Sequence, residues 1–292
     1  MTLSPLPTIT LTDHFATLAD RYDVVFCDVW GVVHNGVTPF AAACDALARF
    51  RANGGTVVLL TNAPRKNEVV IGFLDRLGVP RDAWDAVVTS GDVARAEIAA
   101  RRQESVFHIG PPQDDSVFRE FDVRFASLEE ADYAVCSGLF DDTSETPEDY
   151  RELLTRMKAR DLFMVCANPD RVVERGDVLV YCAGAIADLY AELGGGVLFS
   201  GKPHRPIYRR ALAAAEKLRG ASVAREKVLA IGDSVRTDLT GADGFGIDCL
   251  FVTAGIHAGD VGGRETVDAE ALAAMFSTAG MLPAAVTRKL AW

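Results

Sequence analysis

Short apolar runs alternate along the first ninety residues with segments in which apolar residues recur every three to four positions. The runs of strand length lie at 24–27, 56–60 and 86–89. The helical spacing between them is carried by Phe40, Ala43, Leu47 and Phe50, and then by Val70, Phe73, Leu74 and Leu77. Strands that are apolar throughout are typical of parallel sheets covered on both faces. The pattern therefore predicts an α/β fold with a doubly wound parallel sheet.

The same alternation restarts near residue 90 and continues to the end of the chain. The further predicted strands lie at 106–109, 133–136, 162–166, 228–231 and 249–252, the last being the final strand of the core. The further predicted helices lie at 147–159, 186–193, 207–218 and 267–278. A segment of about a hundred residues is long enough to form its own domain. We expect a core formed by 1–89 and 197–292, with an inserted α/β domain at 90–196.

Composition narrows the class of protein. The 292 residues are 49% hydrophobic and 24% charged, as in globular proteins. A net charge of -11 argues against a nucleic-acid partner. The six cysteines form no C-x-x-C pair, which favours reduced thiols over a zinc site. Neither a secretion signal nor an apolar run of about eighteen residues is present, so we expect a cytoplasmic protein without membrane contact.

Polar residues follow four of the apolar runs. They are Asp28, the pair Thr61-Asn62, Lys202, and Asp233 with Asp238. Parallel strands bring their carboxyl ends to one edge of a sheet, where open α/β folds bind ligands. Such a set suits phosphoryl transfer: a carboxylate can attack phosphorus, and hydroxyl, amide and ammonium groups can hold the phosphoryl oxygens. Each residue alone also fits a turn or a helix cap. The ordered set favours a site.

The order of these motifs resembles that of the haloacid dehalogenase superfamily. The motifs are Asp28-x-x-Gly31, Thr61-Asn62, Lys202-Pro203 and Gly232-Asp233-x-x-x-x-Asp238. Asn168-Pro169-Asp170 and Gly201-Lys202-Pro203 further resemble the class IIA branch, the NagD-like sugar and nucleotide phosphatases. The resemblance extends from Asp23 to about His257. It implies a Rossmann-like core with a cap domain inserted between the Thr and Lys motifs, where residues 90–196 lie.

The resemblance also implies a role for each motif residue. Asp28 would be the nucleophile. Thr61 and Asn62 would bind the transferring phosphoryl group. Lys202 would stabilise the charge of that group and orient the nucleophile.

A Mg²⁺ site is implied as well. Its ligands would be Asp28, Asp233 and the backbone carbonyl of Trp30, and Asp238 would complete or orient the metal shell. Asn168 and Asp170 would contact substrate from the cap, although Asn-Pro-Asp also fits an ordinary turn.

The sequence departs from the family pattern at Trp30, where these phosphatases usually have a second Asp that acts as general acid and base. An indole has no titratable group in range. General acid–base catalysis is typically worth about 10²–10⁴-fold, so its loss would slow alkyl phosphates greatly and aryl or acyl phosphates least. His34 is a candidate substitute acid. It also fits a loop histidine with satisfied hydrogen bonds.

Two functions compete. The first is a Mg²⁺-dependent phosphatase of a small phosphorylated metabolite, either a sugar phosphate or a nucleotide, which would pair with a second copy through the cap as class IIA relatives often do. The alternative is a catalytically impaired protein that binds a phosphorylated ligand and keeps the metal and phosphate site. A dehalogenase is disfavoured by the acidic pair Asp233 and Asp238, and a dehydrogenase by the absence of a glycine-rich first turn.

Overall fold

Two parallel sheets organise the chain in a computed structural model that describes residues 9–175 and 178–292. The described strands are β1 (Val24–Cys27), β2 (Thr56–Thr61), β3 (Ala86–Thr89), β4 (Ser105–Ile109), β5 (Arg124–Phe125), β6 (Tyr133–Cys136), β7 (Phe163–Cys166), β8 (Val172–Arg175), β9 (Val178–Tyr181), β10 (Val197–Phe199), β11 (Val228–Gly232), β12 (Asp248–Val252) and β13 (Ala285–Thr287). The described α-helices are α1 (Ala16–Ala19), α2 (Ala41–Ala52), α3 (Asn67–Leu77), α4 (Ser90–Ala100), α5 (Arg151–Ala159), α6 (Ala183–Glu192), α7 (Arg205–Arg219), α8 (Thr240–Phe245) and α9 (Ala269–Ala279).

The first sheet has six strands in the order β13-β12-β11-β1-β2-β3. The pairings from β13 through to β2 are all parallel. Every residue of β1, β2 and β11 is buried, as expected for strands covered on both faces. The predicted α/β class with a doubly wound parallel sheet is confirmed.

The prediction that 249–252 is the last core strand was wrong. Strand β13 extends the sheet by pairing parallel with β12, with Leu250 opposite Ala285. Its three residues follow Pro283 and precede a charged segment, so the apolar run is too short to be distinguished from a loop in the sequence.

The second sheet has five strands in the order β10-β7-β6-β4-β5, and all of its pairings are parallel. Apolar residues of α5 and α6 cover one face, and those of α4 cover the other. Strands β8 and β9 form a separate antiparallel pair. Helix α4 was missed, although its capping box of Thr89 and Asp92 is visible in the sequence.

Strand β10 joins the second sheet. The sequence placed 197–292 in the core, whereas Val197–Phe199 pairs with β7 in the five-stranded sheet. The chain passes through β8, β9 and α6 before it returns beside β7, so the parallel pair β7 and β10 is joined by a long crossover. Contacts within the chain define one unit that includes 73–87 and 208–292 and a second formed by 61–72 and 88–207. The predicted domain limits of 90–196 stay a prediction.

All helices within the described residues are too short or too polar to cross a membrane.

Candidate active site

Three buried carboxylates meet at the carboxyl edge of the six-stranded sheet. Asp28, Asp233 and Asp238 each offer a carboxylate oxygen, and these oxygens all lie within 4.8 Å of one another. Strands β1 and β11 pair with Cys27 opposite Ile231, so the chain leaves both strands at the same level. The Asp28 backbone N–H still donates to the Ile231 carbonyl at 2.7 Å, which extends the pairing by one residue. The register therefore explains why Asp28 and Asp233 converge.

A glycine makes room for one of these carboxylates. Gly31 has φ +86°, and a β-carbon there would lie 2.1 Å from Asp233 Oδ2. A side chain would meet both a strained backbone and a collision with the carboxylate. The same Oδ2 accepts a hydrogen bond of 2.8 Å from the Ile256 N–H, in the loop after β12. Asp233 is thus fixed from two loops.

The third carboxylate comes from a π-helical turn. The turn spans Val235–Leu239 and begins with Ser234, whose hydroxyl accepts from the Thr237 N–H at 3.3 Å. Asp238 Oδ2 accepts from the Ser234 N–H at 3.2 Å and from the Thr237 hydroxyl at 3.4 Å. Turns of this type occur frequently at functional sites. This turn directs Asp238 back toward the strand end it follows.

The cluster fits a divalent cation. Three carboxylates at this separation repel strongly in a buried site, and a cation removes the repulsion. Asp28, Asp233 and Asp238 are 8%, 5% and 3% exposed. Mg²⁺ prefers oxygen ligands and is held by carboxylates together with substrate phosphate. Gly31 lies against Asp233, so the preceding Trp30 backbone is nearby, and the ligand role of the Trp30 carbonyl stays a prediction.

A second cluster lies in the unit formed by 61–72 and 88–207. The Lys202 backbone N–H donates to Asn62 Oδ1 at 2.7 Å. The Asn62 side-chain NH₂ donates to Asp170 Oδ1 at 2.9 Å and to the Lys202 carbonyl at 3.1 Å. The Asp170 N–H in turn donates to Asn168 Oδ1 at 3.1 Å. Asn62 therefore ties Lys202 to the Asn-Pro-Asp segment.

The side chains of this second cluster are mostly buried. Lys202 is 3% exposed, and Asn62 is similarly buried. Thr61, the last residue of β2, is buried as well, and its hydroxyl accepts from the Ala63 N–H at 3.3 Å. Ser90 adds a support that the sequence did not reveal: its hydroxyl donates to the carbonyls of Asn62 and Ala167. A buried Lys adjacent to a hydrogen-bonded Asn is an arrangement that can bind an anion.

His34 and Trp30 form one packed group on the loop after β1. The ring centroids of Trp30 and His34 are 5.2 Å apart in an edge-to-face arrangement, and His34 also meets Phe73 at 5.6 Å. His34 Nδ1 accepts from the Gly36 N–H at 2.9 Å. Burial lowers the pKa of His34 to about 4, so the ring is neutral at pH 7. This packing supports a structural role, and the substitute-acid role stays a prediction without support from the geometry.

Sequence reasoning missed the loop after β12. Gly255 lies against Asp233, since a β-carbon there would fall 1.8 Å from Oδ2, and Ile256 supplies the hydrogen bond described above. Small residues at the carboxyl end of a parallel strand were the available signal.

Comparison with known proteins agrees with this fold. Residues 25–124 match the family model of haloacid dehalogenase-like hydrolases, and residues 199–277 match a second haloacid dehalogenase-like hydrolase model. The crystal structure of a haloacid dehalogenase-like hydrolase from Brucella suis 1330 is 48% identical. The match covers 96% of this chain and 100% of that one, with a TM-score of 0.85.

Two solved phosphatases are more distant. Glycerol phosphate phosphatase from Mycobacterium tuberculosis, in complex with magnesium, is 25% identical, and the match covers 87% of this chain and 73% of that one with a TM-score of 0.63.

 The second is p-nitrophenyl phosphatase from Archaeoglobus fulgidus, with a TM-score of 0.68. The Archaeoglobus fulgidus enzyme is 22% identical, and its match covers 92% of this chain and 97% of that one. At that identity the likeness shows the fold alone. No curated protein sequence matches the chain.

The parallel sheet and its buried carboxylate edge define an α/β protein whose carboxylates could hold a metal ion. The chain belongs to the haloacid dehalogenase-like hydrolase family, in its NagD-like class IIA branch. It is therefore an enzyme of a superfamily that contains phosphatases.

Proposed function

We propose that this chain is a Mg²⁺-dependent phosphatase that hydrolyses the phosphate monoester of a small metabolite through an aspartyl phosphate on Asp28. The observation that carries the proposal is the carboxylate cluster, in which oxygens of Asp28, Asp233 and Asp238 lie within 4.8 Å of one another in a buried site. A purely structural site has little use for three like charges so close together.

In the proposed reaction, a carboxylate oxygen of Asp28 forms a bond to phosphorus while the bond from phosphorus to the ester oxygen breaks. The leaving oxygen takes the electron pair. Water then attacks phosphorus, the bond to Asp28 breaks, and phosphate is released. Bound Mg²⁺ would neutralise negative charge between the nucleophile and the phosphate. Thr61, Asn62 and Lys202 are the proposed groups that bind the phosphoryl oxygens.

The named relatives support a monoester as substrate. One is a glycerol phosphate phosphatase solved with magnesium, and another is a p-nitrophenyl phosphatase. A sugar phosphate or a nucleotide remains the proposed substrate class for this chain, with Asn168 and Asp170 as proposed substrate contacts.

The direct test is hydrolysis of p-nitrophenyl phosphate with and without Mg²⁺. We expect turnover that depends on the metal and falls to background in Asp28→Asn, because an amide cannot act as the nucleophile. Asp20→Asn, which changes an exposed carboxylate elsewhere, is the matched control and should retain full activity. Turnover that survives in Asp28→Asn would remove Asp28 from the mechanism.

The second candidate is a protein that binds a phosphorylated ligand without hydrolysing it, and it is favoured by the indole at position 30. A phosphate-release screen over small phosphorylated metabolites separates the two functions. Release from any metabolite supports the phosphatase. Silence across the screen, with phosphate binding intact, supports the binding protein.

A further inference from the structure

Trp30 is a large apolar side chain that stays 37% exposed two residues after the proposed nucleophile. Single exposed apolar residues are common and usually need no explanation. This one differs because its surroundings hold it in a defined place.

Two neighbours fix the indole. The His34 ring packs against it edge-to-face, with 5.2 Å between the ring centroids. Gly36 lies against its six-membered ring, since a β-carbon at Gly36 would fall 2.5 Å from Trp30 Cη2. His34 is itself held by the Gly36 N–H and by Phe73. The loop thus positions an aromatic ring that remains partly open to solvent.

The backbone of Trp30 is also close to the proposed reacting groups. A β-carbon on Gly31 would lie 2.1 Å from Asp233 Oδ2. Consecutive α-carbons are about 3.8 Å apart, so the Trp30 α-carbon lies within about 8 Å of that carboxylate. The indole therefore starts from a backbone position beside the proposed reacting groups.

The chemistry of this loop favours one kind of leaving group. Between residues 28 and 39 the titratable side chains are Asp28 and His34. His34 is 2% exposed, and its Nδ1 is used by the Gly36 N–H. The loop thus offers a departing oxygen an aromatic face in place of a proton donor. A phenol-type oxygen, whose conjugate acid has a pKa of about 10, leaves readily as an anion and carries a planar ring.

We propose that Trp30 is a specificity-determining residue that stacks on the leaving group and selects aryl phosphate monoesters. The inference rests on the proposed phosphatase function. Asp28 forms its bond to phosphorus, the phosphorus–oxygen bond to the aryl group breaks, and the aryl oxygen leaves with the electron pair and takes its proton from water. Stacking adds about 0.5–1.5 kcal/mol, which corresponds to about 2- to 12-fold in affinity.

The test compares binding of phenylphosphonate and methylphosphonate, which have no ester bond to hydrolyse, to the Mg²⁺-loaded protein by calorimetry. We expect the wild-type protein to prefer phenylphosphonate by several-fold. Trp30→Phe should keep most of this preference, and Trp30→Leu should lose it. Methylphosphonate binding also reports that each variant has folded.

Kinetics give an independent readout. Trp30→Leu should raise the KM for phenyl phosphate more than it changes kcat, whereas Trp30→Asp should increase turnover of an alkyl phosphate such as glycerol phosphate by supplying the missing acid. Equal binding of the two phosphonates by the wild-type protein, or a preference that persists in Trp30→Leu, would overturn the inference and leave the proposed function intact. Failure of both phosphonates to bind the wild-type protein would overturn the proposed function and this inference together.

Discussion

The two parallel sheets both gather polar side chains near their carboxyl edges, but the two edges differ in charge. The core edge belongs to the six-stranded sheet and is the cluster of Asp28, Asp233 and Asp238, three like charges in a buried site. The insert edge belongs to the five-stranded sheet and is the cluster of His108, Ser137 and Asp114 near the ends of β4 and β6. His108 Nε2 lies 2.9 Å from Ser137 Oγ, and Ser137 also bonds to the Asp114 carboxylate.

The two clusters differ in whether their side chains can hydrogen-bond to one another. At the insert edge, Ser137 hydrogen-bonds to both His108 and Asp114. Arg65 Nε also lies 3.5 Å from a carboxylate oxygen of Asp114. Burial nonetheless raises the pKa of Asp114 and lowers the pKa of His108 to about 4, so the His108 ring is neutral at pH 7. Three carboxylates cannot satisfy each other in this way. The same architecture thus gives a self-contained polar cluster on one sheet and, on the other, a carboxylate cluster that fits a cation.

The largest expected difference is in turnover. Asp233→Asn should lower kcat on p-nitrophenyl phosphate by about 10²-fold or more, because it weakens the metal site that stabilises transition-state charge. Asp114→Asn should leave kcat within a few-fold. The measurement is initial rate against Mg²⁺ concentration for both variants. A comparable loss of kcat in Asp114→Asn would show that the two edges are not functionally distinct.

The glycine at the core edge provides a second contrast. Gly31→Ala adds a backbone strain at φ +86° and a collision with Asp233, so we expect a loss of both stability and activity, with about 1–3 kcal/mol in stability. Gly54→Ala is the matched control, since Gly54 has φ +89° and nothing within 4 Å of the added β-carbon. It should lose stability only. Urea unfolding and turnover are measured for each, and equal activity in the two variants would contradict the role given to Gly31.

Much of this comparison was predictable from the sequence, and the reasons are local. Asp28, Asp233 and Asp238 follow apolar strands, so strand identity alone placed Asp28 and Asp233 at one edge. The links from Asn62 to Lys202 and Asp170 join residues more than a hundred positions apart, and only the fold reveals them. The packing of His34 against Trp30 was hidden for another reason. A histidine that holds a turn and one that donates a proton look alike in a sequence.

Metal binding should also distinguish the edges in stability. Mg²⁺ at a hundred times its Kd should stabilise the wild-type protein by about 2.7 kcal/mol, since it binds only the folded site. Asp114→Asn should retain this gain and Asp238→Asn should lose most of it. The check is the thermal midpoint of each protein with EDTA and with Mg²⁺. A gain that persists in Asp238→Asn would place the cation elsewhere.

The smallest expected effect is the pH dependence that comes from the insert edge. The folded pKa of His108, about 4, is lower than its ordinary value of 6.5, so the unfolded chain binds the proton first. Stability should therefore fall as pH drops below 6.5, by at most about 1.4 kcal/mol per pH unit for one histidine. Asp114 opposes this trend at lower pH, because its raised pKa makes the folded state bind a proton more readily. Urea midpoints between pH 7 and pH 5 for wild type and His108→Gln test the sign, and we expect the variant to have the flatter profile. An equally steep profile in His108→Gln would mean that His108 does not carry this dependence.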